Sequence, residues 1–373
     1  MFDNIYNHGF VRVAVCVPRV RVAEPESNAN ETLHLARRAH DEHAALALFP
    51  ELGISAYTND DLFFQDALLG SVNAQLARIL EASRELRPIL IVGAPFALDG
   101  RLFNCAFVMH RGSLLGIVPK AYLPNYREFY EKRYFASGVS HRQRTAVFAD
   151  QDTLFGTDLL FRASDLKDFV VHVEICEDVW TPAPPSSSGA MAGATILANL
   201  SASNIVVGKA QARRDLCRSQ SMRCIAAYLY SAAGPGESTT DLAWDGHVAV
   251  FENGELLAEG QRFADHPQMI TADIDLERLR QERLRVGSFG DCADHHLSQN
   301  AFRSVAFTLG PSLEEKVPLR RAVDRYPFLP SDPTLLDENC YEAFNIQVHG
   351  LMTRLAAAGV KKVVLGISGG LDS

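Results

Sequence analysis

Three residues that could together cleave an amide each follow an apolar segment of the sequence. Glu51 ends AALALFPE, Lys120 ends SLLGIVPK and Cys176 ends FVVHVEIC. Continuous apolar runs of this length are typical of buried strands, and functional groups collect beyond the carboxyl ends of strands in open α/β sheets. We therefore expect a carboxylate, an ammonium group and a thiol to meet at one site.

These three groups match the requirements of amide hydrolysis through a covalent intermediate. We expect the sulfur of Cys176 to attack the carboxamide carbon as a thiolate, the reactive form of cysteine. The ammonium group of Lys120 would stabilise that thiolate and the oxyanion of the tetrahedral intermediate. Glu51 would act as general base, protonate the departing ammonia and then activate water against the thioester.

Each residue alone also has an ordinary structural explanation. A cysteine at the end of a buried strand is usually a small core residue, and a glutamate or lysine after a strand usually lies in a solvated loop. Glu174, Glu177 and Asp178 crowd Cys176, and this clustering disfavours simple core burial because unpaired carboxylates are costly to bury. Prolines precede the other two candidates and restrict the backbone there.

Alternating strand and helix patterns up to about residue 285 predict how these residues are positioned. They indicate a layered α/β domain with a mixed sheet, because antiparallel hairpins interrupt the alternation. Turns at Arg111–Gly112 and Asn253–Gly254 mark the hairpins. The other predicted strands are 11–17, 44–51, 89–95, 169–175, 195–200, 228–233 and 271–274, and the predicted helices are 28–43, 72–85, 210–226 and 276–281.

The sequence changes character after residue 285. Residues 286–332 have no clear period and predict a linker or arm. Residues 334–358 have a helical pattern, and KKVVLGISGGLDS predicts a strand followed by a glycine loop. We therefore expect a domain at 9–285, the linker at 286–332 and the start of a second, Rossmann-like domain at 333–373.

Composition and charge limit the classes of function. A formal net charge of −9 leaves no basic excess to neutralise phosphates, which argues against a general nucleic-acid binder. No apolar run approaches the ~20 residues of a membrane span, and the N-terminus does not have the pattern of a signal peptide. The seven cysteines are scattered without a Cys-x-x-Cys pair, which predicts a reduced, cytoplasmic protein. The adjacent His295 and His296 are typical of a solvated loop, so we expect no metal site.

Three segments around the candidate residues carry a family resemblance. FPELGISAY, VPKAYLPNYREFYEKRYF and HVEICEDVW resemble, in order and spacing, the signature segments of the nitrilase, or carbon–nitrogen hydrolase, superfamily. The resemblance covers residues 9 to about 285 and implies an αββα sandwich. It implies that Glu51 is the general base, Lys120 the oxyanion stabiliser and Cys176 the nucleophile. It also implies that Glu177 contributes its backbone N–H to the oxyanion hole.

The final residues narrow the choice within this superfamily. LGISGGLDS resembles the phosphate loop of the ATP-pyrophosphatase family, in which glycines let backbone N–H groups approach a phosphate closely. The residues that this resemblance assigns to ATP binding are Gly366, Ile367, Ser368, Gly369, Gly370, Leu371, Asp372 and Ser373.

A nitrilase-type domain followed by this loop resembles the family of glutamine-dependent NAD⁺ synthetases. NLSAS, GPGESTTDLAWDG and FNIQVHGLMTRL are further similar segments. In that family a glutaminase, which needs no cofactor, supplies ammonia to a synthetase. The synthetase activates deamido-NAD⁺ with ATP and Mg²⁺ and then amidates it to NAD⁺. The resemblance also implies a homo-oligomer.

The same resemblance assigns a binding pocket for L-glutamine to Tyr126, Glu177, Ser203 and Lys209. Relatives often have arginine at the last position; lysine keeps the charge but lacks the planar fork that suits a carboxylate. We expect Lys209 to bind the α-carboxylate. Because the chain ends inside the ATP loop, before the helix that supplies much of the anion site, we expect it to hydrolyse glutamine and to form no NAD⁺.

Two other functions fit parts of the sequence. A free-standing ω-amidase or carbamoylase would share the triad but not SGGLDS or GESTTDLAWDG. A catalytically idle scaffold with the nitrilase fold would assemble partners without using the triad. The intact Glu51, Lys120 and Cys176 disfavour the scaffold.

Overall fold

The computed structural model describes residues 2–297, 301–323 and 332–370. Two compact units are present, Met1–Arg321 and Ala322–Ser373, and the first contains all three residues of the predicted triad. None of the described helices is long and apolar enough to span a membrane.

Two mixed β-sheets form the first unit. Their strands are β1 (Phe10–Val17), β2 (Leu46–Leu48), β3 (Ile89–Leu98), β4 (Arg101–His110), β5 (Ser113–Pro119), β6 (Arg144–Phe148), β7 (Gln151–Phe155), β8 (Leu159–Ala163), β9 (Val170–Ile175), β10 (Ile196–Ser201), β11 (Ala227–Ala232), β12 (Val248–Glu252), β13 (Glu255–Glu259), β14 (Gln268–Asp275) and β15 (Arg303–Phe307). Among the described residues, one sheet has the order β14-β1-β2-β3-β4-β5-β7-β6 and the other the order β13-β12-β11-β10-β9-β8-β15.

Helices lie between and after these strands. They are α1 (Pro25–Asp41), α2 (Asp66–Ala82), α3 (Pro185–Met191), α4 (Lys209–Cys224), α5 (Leu276–Arg285), α6 (Gly287–Leu297) and α7 (Pro333–Ala357), with short 3₁₀ helices that include Glu131–Arg133 and Cys176–Trp180. Both of these 3₁₀ helices carry residues of the candidate site described below.

The central core lies between the two sheets. Along β1, Val13 and Val15 point into this core, while Ala14 and Cys16 point towards the helices on the other face, as the two-residue period of a strand requires. α1 and α2 pack on the outer face of the first sheet, and α3 and α4 pack on the outer face of the second. The helix–sheet–sheet–helix order confirms the predicted αββα sandwich.

Both predicted hairpins are confirmed. β4 and β5 pair antiparallel around Arg111–Gly112, and β12 and β13 pair antiparallel around Asn253–Gly254. The four turn residues all have positive φ, between 47° and 85°, which is the conformation of tight hairpin turns. The first hairpin returns β5 along β4 and so determines where Lys120 emerges.

The prediction that residues 286–332 are irregular is wrong for two stretches. α6 forms directly after α5, and β15 adds a parallel strand beside β8 at the edge of the second sheet. Arg303 fixes β15 through the buried carboxylate of Asp158, with 2.7 Å between Nη2 and Oδ1. The sequence pattern missed β6, β7 and β15, because these five-residue strands have partly exposed faces. It also missed β8, which is apolar but only five residues long.

The second unit contains α7, which confirms the helix predicted at 334–358. Asp332 caps it by accepting a hydrogen bond from the backbone N–H of Thr334, and Pro333 begins the first turn. The strand predicted in KKVVLG is wrong, because residues 360–368 have no regular structure. A strand needs a partner, and residues 332–370 provide none.

Candidate active site

Glu51 and Lys120 meet in the interior of the first unit. Lys120 follows β5 directly, and Glu51 lies in the turn after β2. Lys120 Nζ is 2.6 Å from Glu51 Oε1, and both side chains are fully buried. Gly93 on β3 makes room for the turn, since a Cβ there would lie 2.5 Å from both Pro50 O and Leu52 N. The neighbouring strand therefore determines where the Glu51 carboxylate points.

Cys176 is the first residue of the 3₁₀ helix that follows β9. Its φ of +47° lies in the left-handed region, which a non-glycine residue keeps only when the surrounding structure holds it there. The residue is 5% exposed, and its sulfur interacts electrostatically with the charges of Glu51 and Lys120. The structure thus brings the carboxylate, the ammonium group and the thiol to one buried site.

Asp178 ties the segment after Lys120 to the turn at Cys176. Its Oδ1 accepts the backbone N–H of Tyr122 at 2.8 Å, and its Oδ2 accepts that of Ile175 at 2.9 Å. Burial, and then the nearby Glu174, raise the pKa of Asp178 to about 8. This side chain links the segment that follows β5 to the end of β9 and so fixes Cys176 relative to Lys120.

Glu131 is a member of the site that the sequence analysis missed. Lys120 Nζ is 2.7 Å from Glu131 Oε1, and the Tyr57 hydroxyl donates to the same oxygen at 2.8 Å. Burial raises the pKa of Glu131 to about 7, although its bonds to Lys120 and Tyr57 oppose that rise. The only sequence signal was its position in the family-like segment VPKAYLPNYREFYEKRYF, because a glutamate in a charged run is usually exposed.

Burial and charge determine the resting protonation of the site. Burial alone lowers the pKa of Lys120, but the carboxylates of Glu131 and Glu51 outweigh it and hold that pKa well above its usual value. Burial, reinforced by Glu51, raises the pKa of the Cys176 thiol, and Lys120 only partly opposes the rise. Both shifts favour the protonated forms, an ammonium ion at Lys120 and a neutral thiol at Cys176, so chemistry at the sulfur would need a base to take the thiol proton.

Glu51 is oriented by two further donors. Asn104 Nδ2 lies 2.6 Å from Glu51 Oε1, and the backbone N–H of Ala202 donates to Oε2. Ala202 follows β10, so the carboxylate is bound by both sheets at once. Asn104 carries no sequence signal for this role, because an asparagine within a strand has many structural roles.

Two of the predicted glutamine-binding residues lie at the more open side of the site. The Tyr126 hydroxyl donates to Glu177 Oε1 at 2.8 Å, and half of the Tyr126 surface is exposed. Burial raises the pKa of Glu177, while its bond from Tyr126 and the charge of Lys120 oppose the rise. An exposed phenol bound to a carboxylate next to Cys176 is suited to contact a polar ligand.

The other two predicted glutamine-binding residues follow β10. Ser203 is buried, and its hydroxyl has no hydrogen-bond partner among residues 2–297, 301–323 and 332–370. Lys209 begins α4; its Nζ donates to Asn204 Oδ1 and lies 5.7 Å and 5.6 Å from the ring centres of Phe129 and Trp180. Burial lowers the pKa of Lys209. A carboxylate ligand near Nζ would favour the charged form of Lys209 and so oppose the effect of burial on its pKa.

A pocket adjoins the Glu131 side of the site. Its wall combines aromatic rings with acidic groups, among them Tyr57, Phe129, Tyr130, Asp60, Glu131 and Asp241. Such a wall favours neutral or cationic small molecules over anions.

The predicted ATP loop belongs to the second unit. Gly366, Ile367, Ser368, Gly369 and Gly370 form an exposed segment, in which Gly369 has a φ of +84°. Leu371, Asp372 and Ser373 lie outside the described residues. Within the described ranges, no group of three or more His, Cys, Asp or Glu side chains is arranged to hold a metal ion.

Comparison with known proteins gives consistent matches. The model of the carbon–nitrogen hydrolase family matches residues 12–283. A curated relative from Mycobacterium tuberculosis, named glutamine-dependent NAD(+) synthetase, is 52% identical over 373 residues, which is 100% of this chain and 55% of the relative. The chain thus spans about half the length of the curated relatives it matches.

Two solved structures extend the comparison. A glutamine-dependent NAD(+) synthetase from Cytophaga hutchinsonii has a TM-score of 0.64 and 25% identity, and the match covers 71% of this chain and 43% of that one. A carbon–nitrogen hydrolase from Helicobacter pylori has a TM-score of 0.58 and 19% identity, covering 74% of this chain and 94% of that one, and therefore supports the fold alone. With the family match across most of the first unit, this chain belongs to the carbon–nitrogen hydrolases.

Proposed function

We propose that this chain hydrolyses the side-chain amide of L-glutamine with Cys176 as nucleophile. We also propose that the longer protein uses the ammonia to convert deamido-NAD⁺ to NAD⁺. The observation that carries the hydrolytic part is the buried ion pair of Lys120 and Glu51 beside the Cys176 thiol. The names and 52% identity of the mycobacterial relatives support glutamine as the amide.

The first half of the reaction begins with a neutral thiol. As the sulfur of Cys176 attacks the carboxamide carbon, Glu51 takes the thiol proton and the carbonyl oxygen becomes an oxyanion. The Lys120 ammonium group and the backbone N–H of Glu177 stabilise that oxyanion. When the intermediate collapses, the C–N bond breaks and Glu51 returns the proton to the departing ammonia.

The second half hydrolyses the thioester that joins Cys176 to the substrate. Glu51, again a carboxylate, takes a proton from the water molecule that attacks the thioester carbon. The same donors stabilise the second oxyanion. Collapse of this intermediate breaks the C–S bond, releases glutamate and returns the proton from Glu51 to the sulfur.

Glu131 keeps Lys120 charged while Glu51 cycles between its two protonation states. Each time Glu51 accepts a proton it loses its negative charge, and the pKa of a buried lysine would then fall. Glu131 remains as a second anionic partner at 2.7 Å. The ammonium group therefore persists through the steps in which the oxyanion needs it.

Recognition of the amino-acid end of glutamine uses the open side of the site. Lys209 binds the α-carboxylate, since it is a partly desolvated cation. The partnerless hydroxyl of Ser203 supplies a further polar contact. Tyr126 and Glu177 complete the pocket, with the Glu177 carboxylate suited to the α-ammonium group.

The synthetase half rests on the relatives, which are about twice as long as this chain. In the longer protein, the loop 366–373 binds the phosphates of ATP, which carries Mg²⁺ as its counter-ion, and deamido-NAD⁺ is the acceptor of ammonia. The resemblance to this family supports a homo-oligomer. All seven cysteines are free, which supports a reducing, cytoplasmic compartment.

Ammonia release from a panel of amides tests the hydrolytic proposal. The purified chain is incubated with L-glutamine, with ω-amides of 2-oxo acids and with N-carbamoyl amino acids, beside a Cys176→Ser variant. We expect glutamine to be the best substrate and the variant to be inactive. A preference for either of the other substrate classes would favour a free-standing ω-amidase or carbamoylase and contradict the proposal.

A further inference from the structure

We propose that Glu237 is a positioning residue for this reaction: it holds the loop of Tyr57 so that the tyrosine hydroxyl stays bound to Glu131, the second anionic partner of Lys120. The inference rests on the proposed hydrolysis. Glu237 lies in GPGESTTDLAWDG. This segment resembles the family described above, but the resemblance assigns no role to Glu237.

Glu237 binds the backbone of a distant loop. Its Oε1 accepts the N–H of Tyr57 at 2.7 Å, and its Oε2 accepts the N–H of Thr58 at 3.1 Å and the Thr58 hydroxyl at 2.7 Å. The residue is 8% exposed. Three donors of one loop thus replace the water that a buried carboxylate loses. The segment of Glu237 and the loop of Tyr57 therefore hold each other in place.

The loop needs such support because its backbone is strained. Ala56, directly before Tyr57, has a φ of +66°, a conformation that costs a residue with a side chain of order 1–2 kcal/mol. The same distant segment also packs on the ring of Tyr57: Trp244 meets it edge-on at 5.5 Å, and the Trp244 indole N–H donates to Ser238 O at 2.7 Å. Backbone and ring of Tyr57 are thus both held from residues 237–244.

The Tyr57 hydroxyl is the point at which this support reaches the site. It donates to Glu131 Oε1 at 2.8 Å, the oxygen that also accepts from Lys120, while Glu131 Oε2 has no partner among the described residues. Without the hydrogen bond from the Tyr57 hydroxyl, Lys120 would be the one remaining donor to the Glu131 carboxylate among the described residues. The carboxylate would then bind a proton more tightly.

The charges around Glu131 determine the sign of the effect. Lys120 favours its ionised form, Glu51 opposes it, and the acidic side chains Asp60 and Asp241 lie in the wall of the same pocket. Removing the phenol bond therefore raises the pKa of Glu131 above its value of about 7. If ionised Glu131 keeps Lys120 charged, the acid limb of kcat moves to higher pH.

The test is the Glu237→Gln variant, assayed for glutamine hydrolysis in the full chain. A glutamine amide nitrogen would face donors in the Tyr57 loop and could not accept from them. We expect kcat to fall about tenfold, KM to change less than about twofold, and the acid limb of kcat to move to higher pH. The Tyr57→Phe variant should shift the limb in the same direction, and adding Glu237→Gln to it should cause little further loss.

The control and a milder variant keep the outcome decisive. Asp165→Asn removes a carboxylate that accepts the backbone N–H groups of Leu309 and Gly310 in a loop outside the site, and it should leave kcat and the pH profile unchanged. If Glu237→Gln does not fold, Thr58→Val removes one of the three bonds and should give a smaller shift in the same direction.

An unshifted acid limb of kcat in the folded variants would overturn the inference. So would a Glu237→Gln substitution that lowers kcat equally in the wild-type chain and in the Tyr57→Phe variant. If the wild-type chain hydrolyses glutamine but the variants do not show the expected changes, this inference alone is overturned. A wild-type chain without activity towards glutamine would overturn the proposed function, and this inference with it.

Discussion

The ammonium group of Lys120 lies between two buried carboxylates, those of Glu51 and Glu131. Buried ion pairs persist only when close geometry and further hydrogen bonds replace the lost hydration. Asn104 and Tyr57 supply those bonds, one to each carboxylate. Without the ammonium group, the two buried carboxylates would repel each other.

Replacement of Lys120 by methionine should therefore affect both activity and stability. We expect kcat for glutamine to fall at least about 10²-fold, because the oxyanion loses its charged donor. We expect the free energy of unfolding to fall by about 3–5 kcal/mol, because an uncompensated buried charge remains. Ammonia release and urea unfolding measure the two effects.

Lys167→Met is the matched control, since Lys167 is an exposed lysine on the same unit. It should behave as the wild type in both assays. A Lys120→Met variant with unchanged kcat would contradict the assigned role.

At this scale, the sequence pointed to three residues that end predicted strands, and it missed Glu131, which lies outside the strands, and Asn104, which lies within one. Glu51, Lys120 and Cys176 could be found because each ends a segment with the pattern of a buried strand. Glu131 lies in a charged run that is typical of a surface, and its burial depends on how residues 120–135 fold over the site. That folding is a tertiary effect without a local pattern.

At the scale of elements, the turn after β2 depends on β3. Gly93 leaves the space into which the backbone of Pro50 and Leu52 fits, and those residues flank Glu51. The backbone on either side of Glu51 therefore cannot move independently of β3. The position of the Glu51 carboxylate is therefore determined by the contact between one strand and one turn.

The Gly93→Ala variant should displace this turn. The added Cβ would lie 2.5 Å from backbone atoms, so we expect the free energy of unfolding to fall by about 1–3 kcal/mol and kcat to fall with it. Gly70→Ala is the matched control, since Gly70 lies within α2 with nothing within 4 Å of the added Cβ. It should raise stability by about 0.5–1 kcal/mol and leave kcat unchanged; urea unfolding that shows the same change for both variants would contradict the role of Gly93.

Elements were predicted correctly where the signal is local. The two hairpins carry turn residues between apolar strands, and both formed as predicted. β15 was missed because it pairs with β8, which lies far earlier in the chain and was itself not predicted. The strand predicted in KKVVLG failed for the opposite reason: the local pattern was present, but residues 332–370 offer no partner strand.

At the scale of the molecule, the first unit extends beyond the part predicted as its domain. Arg12 Nη2 donates to Pro318 O at 2.7 Å, and Asn4 Nδ2 donates to the carbonyls of Ser312 and Glu315. Residues 301–321 thus bind to the start of the chain as well as to the second sheet. The unit that we expect to fold alone ends near Arg321.

Two shortened chains test this boundary. A chain ending at Arg321 should keep kcat for glutamine and a melting temperature within a few degrees of the full chain. A chain ending at Leu297 loses β15 and leaves the buried Asp158 without Arg303, which should lower the free energy of unfolding by about 3–5 kcal/mol. Thermal unfolding measures the stability of both shortened chains. Equal stability of the two would contradict a structural role for residues 301–321.

Covalent labelling of Cys176 by a glutamine analogue that carries an electrophilic carbon in place of the amide tests the central claim most directly. Intact-mass and peptide mass spectrometry would locate the label among the seven cysteines, including the exposed Cys292 and Cys340. We expect one equivalent on Cys176, slowed by added glutamine and absent from the Lys120→Met variant. Labelling of the exposed cysteines alone, or labelling that glutamine does not slow, would contradict a site in which Glu51, Lys120 and Cys176 act together on a glutamine amide.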